Sequence, residues 1–179
     1  MKMPILFPLA LAVALNACQD APALEDQLAM ASIIDQEGNT AGNAALKRND
    51  DTLFIELELS SLEPGTKAFH LHSVGKCDAP DFKSAGGHLN PHGKSHGKQS
   101  VGGQHLGDLP NVKIPESGSI KILIDLDDQT TFPLSTIDDD DGTAVMVHAG
   151  PDDYLSDPSG AAGPRIACGV LKPTDLSGT

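Results

Sequence analysis

Short runs of alternating apolar and polar residues, separated by turn residues, make up most of this chain. The run "TLFIELELS" (52–60) alternates most regularly. Leu53, Ile55, Leu57 and Leu59 share one face, and Thr52, Phe54, Glu56 and Glu58 share the other. Comparable runs occur at 28–35 ("LAMASIID"), 43–48 ("NAALKR"), 68–72 ("AFHLH"), 119–126 ("SIKILIDL"), 143–148 ("TAVMVH") and 165–171 ("RIACGVL"). A weaker one lies at 130–137 ("TTFPLSTI"). Turn signals such as "QEGNTAG", "NDD", "EPGTK" and "DDDDG" separate them. About eight short strands with almost no helical periodicity predict an all-β, antiparallel sandwich or barrel. Two stretches break the pattern. From Ser73 to about Lys113 there is almost no apolar periodicity, and residues 149–164 form a second irregular segment. A loop that long inside a compact domain is normally functional.

The first residues belong to a different organisation. Residues 1–17, "MKMPILFPLALAVALNA", carry Lys2, an apolar run too short to span a membrane, and then small residues. They read as an export signal. "LNAC" resembles a bacterial lipoprotein processing site, which would make Cys18 the lipid-modified start of the mature chain. Ordinary signal cleavage shortly after Ala17 is the alternative. Residues 18–27 then read as a lipid-anchored, flexible tether, and 28–179 as one domain. Export implies a periplasmic or cell-envelope location, with membrane contact only through the lipid. It also leaves Cys77 and Cys168 in an oxidising compartment, where one disulfide is expected and two buried thiols are the alternative.

Charge refines this outline. The net charge is −13, which argues against a nucleic-acid partner. Residues 66–113 are nevertheless +3, with Lys67, Lys76, Lys83, Lys94, Lys98 and Lys113 against Asp78, Asp81 and Asp108. That local excess can attract a small anion, because distant carboxylates are screened beyond about 8 Å at physiological salt. The chain has no Trp and few other aromatic residues, so its core must be aliphatic.

The basic segment also carries most of the histidines. His70 and His72 stand two apart on a strand and point to one face, while Phe69 and Leu71 point to the core. "GGHLNPHGKSH" adds His88, His92 and His96, "GGQHLGD" adds His105 and Asp108, and His148 ends a later strand. All seven histidines thus lie in the irregular segment or at strand ends beside it. Imidazole suits copper and zinc, and a zinc site usually takes four ligands. The alternative is a set of surface histidines in a Gly-rich loop.

"FHLHSVGKCDAPDFKSAGGHLNPHGKSH", "GGQHLGDLPN", "VMVHAGPDDYLSDPSG" and "AGPRIACGVL" together resemble the copper,zinc superoxide dismutase family, from about residue 28 to 171. The closest likeness is to exported bacterial members. The resemblance implies an eight-stranded Greek-key barrel, flattened like an immunoglobulin sandwich, with two long functional loops. It implies one copper and one zinc per subunit. His70, His72, His88 and His148 would hold copper. His88 would bridge to zinc, completed by His96, His105 and Asp108. Asp152 would link His70 to His96, Cys77 would pair with Cys168, and Arg165 would hold the substrate anion beside copper. His92 matches no ligand position. His88 would exchange a proton during dismutation of superoxide to dioxygen and hydrogen peroxide, protecting the cell envelope. Such enzymes are established cases of electrostatic steering. The loop before Arg165 lacks lysine, so Lys76, Lys83, Lys94 and Lys98 are the candidates here. Bacterial members include monomers and dimers, so a homodimer is admitted. Besides a purely structural adhesion-type sandwich, which would leave the histidine set unexplained, two other readings compete with an enzyme of this kind. One is a non-enzymatic copper- or zinc-binding lipoprotein on the same fold. The other is a zinc hydrolase, which would need an open zinc position and a general base, and no His-Glu-x-x-His occurs.

Overall fold

The structure, a computed structural model, describes residues 26–50, 52–126, 135, 137 and 140–174. Its described elements are β1 (Asp26–Asp35), β2 (Thr40–Asn49), β3 (Thr52–Leu59), β4 (Gly65–Lys67), β5 (Phe69–His72), β6 (Val112–Ile114), β7 (Ile120–Asp125), β8 (Thr143–His148) and β9 (Arg165–Pro173). One 3-10 turn spans Lys83–Ala85. A seven-stranded sheet runs β5-β8-β9-β1-β2-β3-β7, and β4 pairs with β6. Every pairing is antiparallel. β3 pairs with β7 and β5 with β8, so the chain crosses between distant strands, as the Greek-key expectation required.

The sheet curls around one aliphatic core. Leu53, Ile55, Leu57 and Leu59 enter it from β3, and Phe69 and Leu71 from β5. Phe54, on the opposite face of β3, is also buried although it lies outside that core cluster. β8 is buried along its whole length. Val145 and Val147 face the core, whereas Ala144 and Met146 pack with Phe82, Ala85 and Cys168 under the long loop. Two-sided burial explains why "TAVMVH" reads as a continuous apolar run.

Three details differ from the sequence expectation. β1 begins at Asp26, within the segment read as tether. β6 lies inside the stretch read as irregular; three residues carry too little pattern to register. "GTK", read as part of a turn, is β4, and the run steps from the small sheet to the large one at Ala68. Counted as one strand, β4 and β5 bring the described set to eight, with β6 in it and the run at 130–137 not. The weak run at 130–137 lies outside the described residues except for Ser135 and Ile137. Residues 1–17 and Cys18 also lie outside them.

Candidate metal centre

β5 builds the site because both its edges are used. One edge pairs with β8, placing Phe69 opposite Val147 and His70 opposite Met146. The long loop docks on the other edge. Leu71 N–H donates to Gly107 O (2.9 Å), Leu89 N–H to Leu71 O (2.8 Å) and Ser73 N–H to Gly87 O (2.9 Å). These bonds set His70 beside Asp108 and His72 beside His88 as isolated bridges. A Cβ at position 107 would strike the Leu71 carbonyl, so this close approach requires glycine.

Two clusters share His88. His70, His72, His88 and His148 form one; His88, His96, His105 and Asp108 form the other. In each, one potential ligand atom per residue lies within 4.8 Å of the rest. Asp108 Oδ1 gathers the second cluster, at 2.7 Å from His88 Nδ1, 3.0 Å from His105 Nδ1 and 3.2 Å from His96 Nδ1. All of these residues are buried.

The other ring nitrogens are committed elsewhere. His72 Nδ1 donates to Gly86 O (3.0 Å) and His148 Nδ1 to Gly163 O (3.1 Å). A carbonyl only accepts, so each ring must carry its proton on Nδ1 and leave Nε2 bare. Asp152 fixes two more rings, its Oδ2 lying 2.9 Å from His70 Nε2 and its Oδ1 2.9 Å from His96 Nε2. A third cluster of His70, His96 and Asp152 is therefore a hydrogen-bonded link between the first two. A Cβ at position 160 would collide with Asp152, so glycine leaves room for the link. Burial opposes ionisation of Asp152, but hydrogen bonds from both histidines and Tyr154 N–H outweigh it and hold its carboxyl well below the usual range. Burial likewise opposes ionisation of Asp108, yet bonds from His88 and Gly97 N–H lower its pKa.

Once these bonds are assigned, five buried side-chain nitrogens among the described residues make no hydrogen bond. They are His70 Nδ1, His72 Nε2, His88 Nε2, His96 Nδ1 and His148 Nε2. Unpaired buried polar atoms are costly, and their convergence gives the physical test for a metal. Four of them, on His70, His72, His88 and His148, are one nitrogen from each member of the first cluster. Burial and neighbouring rings push His72 down to about 2, and His88 and His148 down to about 4. These rings are neutral at neutral pH and can donate a lone pair. The residues present fit two cations joined through His88.

A cavity of about 370 Å³ opens over the first cluster, lined by His72, His88, His148 and Arg165 among others. Arg165 stands opposite His148 in the β8–β9 register. Its guanidinium donates to Phe82 O and Gly86 O, each at 2.6 Å. Desolvation lowers its pKa from the usual arginine value, with Asp81 opposing the shift. The disulfide joins Cys77 to Cys168, fastening the loop to β9. Lys76, Lys83, Lys94 and Lys98 are all exposed. Lys83 pairs with Asp81 (2.9 Å), and Lys98 Nζ sits 4.1 Å above the Tyr154 ring. None of the four lines the cavity, and His92 is exposed outside both clusters.

Sequence reasoning missed the supports of Asp152. Asn111 donates from Nδ2 to Asp152 O (2.9 Å) and accepts Asp152 N–H at Oδ1 (2.8 Å). Tyr154 N–H donates to Asp152 Oδ1 (2.6 Å). Only the position of Asn111 straight after "GDLP" hinted at a role, and nothing marked Tyr154.

The family model described as "Copper/zinc superoxide dismutase (SODC)" matches residues 40–171. "Superoxide dismutase [Cu-Zn] 1" of Aquifex aeolicus is 44% identical over 146 residues, covering 79% of this chain and 86% of the relative. "Superoxide dismutase-like protein YojM" of Bacillus subtilis is 39% identical over 143 residues, covering 78% and 73%. Among solved structures, a SOD-like protein from Bacillus subtilis superposes with a TM-score of 0.73 at 38% identity, covering 80% of this chain and 97% of that one. Cu/Zn superoxide dismutase from Brucella abortus gives 0.67 at 25% identity, covering 83% and 100%.

Proposed function

This chain belongs to the copper/zinc superoxide dismutase family, and from that premise we propose that it dismutates superoxide to dioxygen and hydrogen peroxide. One copper and one zinc ion per subunit are the cofactors. We assign copper to His70, His72, His88 and His148, and zinc to His88, His96, His105 and Asp108. Copper bound there supplies one-electron redox chemistry, and zinc supplies positive charge and order. The observation that carries the assignment is the convergence of unpaired buried nitrogens from His70, His72, His88 and His148.

The chain's own residues account for substrate handling. Arg165 uses two of its N–H donors on the carbonyls of Phe82 and Gly86, which orients the guanidinium at the cavity. Its remaining donors and charge suit a small anion. His88 lines the same cavity with Nε2 unpaired, while Nδ1 is committed toward Asp108. We assign Nε2 as the atom that takes and returns a proton. The exposed Lys76, Lys83, Lys94 and Lys98 provide the local positive field that draws superoxide toward the loop.

Metal analysis joined to a dismutation assay tests this reading. The expected result is one copper and one zinc per chain, with activity lost on copper removal and restored by copper. Zinc binding without activity after copper loading would replace the enzyme with a non-enzymatic metal-binding protein. The name of the YojM relative makes that comparison informative. We place the protein in the periplasm or cell envelope, anchored through lipid on Cys18, where it would intercept superoxide. Mass spectrometry of the mature N-terminus decides between lipidated Cys18 and ordinary cleavage after Ala17.

A further inference from the structure

Asp152 hydrogen-bonds to His70 of the first cluster and His96 of the second, so its orientation bears on both. Its surroundings converge on Tyr154. The Tyr154 N–H donates to the Asp152 carboxylate at 2.6 Å. The Tyr154 hydroxyl accepts Asn111 N–H at 2.9 Å, and Asn111 clasps the Asp152 backbone through its side-chain amide. The Tyr154 carbonyl accepts Gln99 N–H at 3.0 Å, and the ring lies under Lys98 Nζ. Gly97 packs so closely on the Tyr154 carbonyl that no Cβ would fit there. Tyr154 itself has φ +62°, an unfavourable region for a bulky residue. Strain of this kind persists only where the surroundings over-determine the conformation.

We propose that Tyr154 is a positioning residue that locks the Asp152 carboxylate, and thereby couples the segment just after His96 to the orientation of His70. The proposal rests on the two-metal reading above. Its hydroxyl is the part a sequence comparison would value least, since it touches no ligand. Yet phenylalanine at this position would leave Asn111 N–H without its partner and loosen the clasp around Asp152. The ring and backbone contacts to residues 97–99 then transmit that slack to His96. Outer supports of metal ligands typically change metal affinity by about 10–100-fold.

The test uses the full chain, loaded with zinc and then copper. Tyr154→Phe is expected to weaken zinc binding about tenfold by chelator competition. It should also shift the electron paramagnetic resonance spectrum of the copper-loaded protein, because the same carboxylate orients His70. Lys98→Met removes the charge over the ring but keeps the hydroxyl, and should weaken zinc by about two- to fivefold. Leu155→Ala, at an exposed neighbour, is the control and should change neither readout. Wild-type zinc affinity and an unchanged spectrum in Tyr154→Phe would overturn the proposal. So would a lower melting temperature with both readouts unchanged, since that marks a merely structural role. A wild-type chain that binds zinc without dismutating superoxide would overturn the enzymatic reading alone; the Tyr154 assignment would still be decided by zinc affinity.

Discussion

His70, His72 and His148 stand on β5 and β8, whereas His88, His96, His105 and Asp108 all come from the loop between β5 and β6. The strand-borne set is placed by sheet register, which also seats Phe69, Leu71 and Val147 in the core. Moving those histidines would mean moving core side chains. The loop-borne set stands on no strand, although Leu89, Leu106 and Leu109 beside His88, His105 and Asp108 anchor it in the core. It is held by Gly97 N–H on Asp108 Oδ2 (2.7 Å), His105 N–H on the same oxygen (3.0 Å) and His96 N–H on Asp157 Oδ1 (2.7 Å). Backbone pairing to β5 and the disulfide complete it. Individual hydrogen bonds contribute only about 0.5–1.5 kcal/mol net, or about 1.5–3 kcal/mol to charged groups. One half of the site is therefore placed by strand register, and the other by core leucines of the loop and local bonds that bound metal would reinforce, its binding energy becoming folding energy.

The contrast can be broken most severely at Asp108. Asp108→Ala removes both the proposed zinc ligand and the acceptor for two loop N–H groups. It is expected to abolish stoichiometric zinc binding while His70, His72 and His148 still bind copper, as elemental analysis would show. Loss of both metals together would mean that the halves are not separable.

Acid should act next most strongly, on the metal-free chain. The folded protein lowers His88 and His148 from 6.5 to about 4 because burial disfavours the charged ring. The unfolded chain binds those protons more readily. The stability they contribute is full above pH 6.5 and is lost as pH falls through about 4. Thermal melts across that range check this. Bound metal should blunt the loss, because protons and metal compete for the same nitrogens.

Replacing Cys77 and Cys168 together by serine tests how far the loop depends on its covalent tie. The two residues are 91 apart in sequence. Removal of a cross-link closing a loop of that size is expected to cost about 4–5 kcal/mol on the chain-entropy account. Denaturant titration would measure it. Zinc should weaken more than copper if the loop half is the softer one.

Asp152→Asn addresses the join between the halves. An amide can accept from one ring N–H but turns a donor toward the other. Affinity for both metals should fall by about 10–100-fold, against separate effects if Asp152 served one side only. The smallest expected change comes from neutralising Lys76, Lys83, Lys94 and Lys98 to glutamine. The bimolecular rate at low salt should fall by about two- to fivefold, and its salt dependence should flatten. No change in either would remove these lysines from substrate steering.

The sequence alone carried the strand pattern and named the residues that the fold gathers into the two clusters. Leu53, Ile55, Leu57 and Leu59 alternate because one face of β3 is buried, and that period is readable without coordinates. His70 and His72 share a face for the same reason, and the order of the other clustered residues carried the resemblance to the family. Tertiary structure alone decided the rest. β6 pairs with β4 across a long sequence separation, and such pairing leaves little local trace in a three-residue strand. Tyr154 and Asn111 become supports of Asp152 only after β6 and the β8–β9 loop are brought together. Which nitrogen of each histidine is free depends on the carbonyls of Gly86 and Gly163 and on Asp152. Local side-chain chemistry repeats along the chain and can be read there, whereas hydrogen-bond partners from distant segments exist only once the chain has closed on itself.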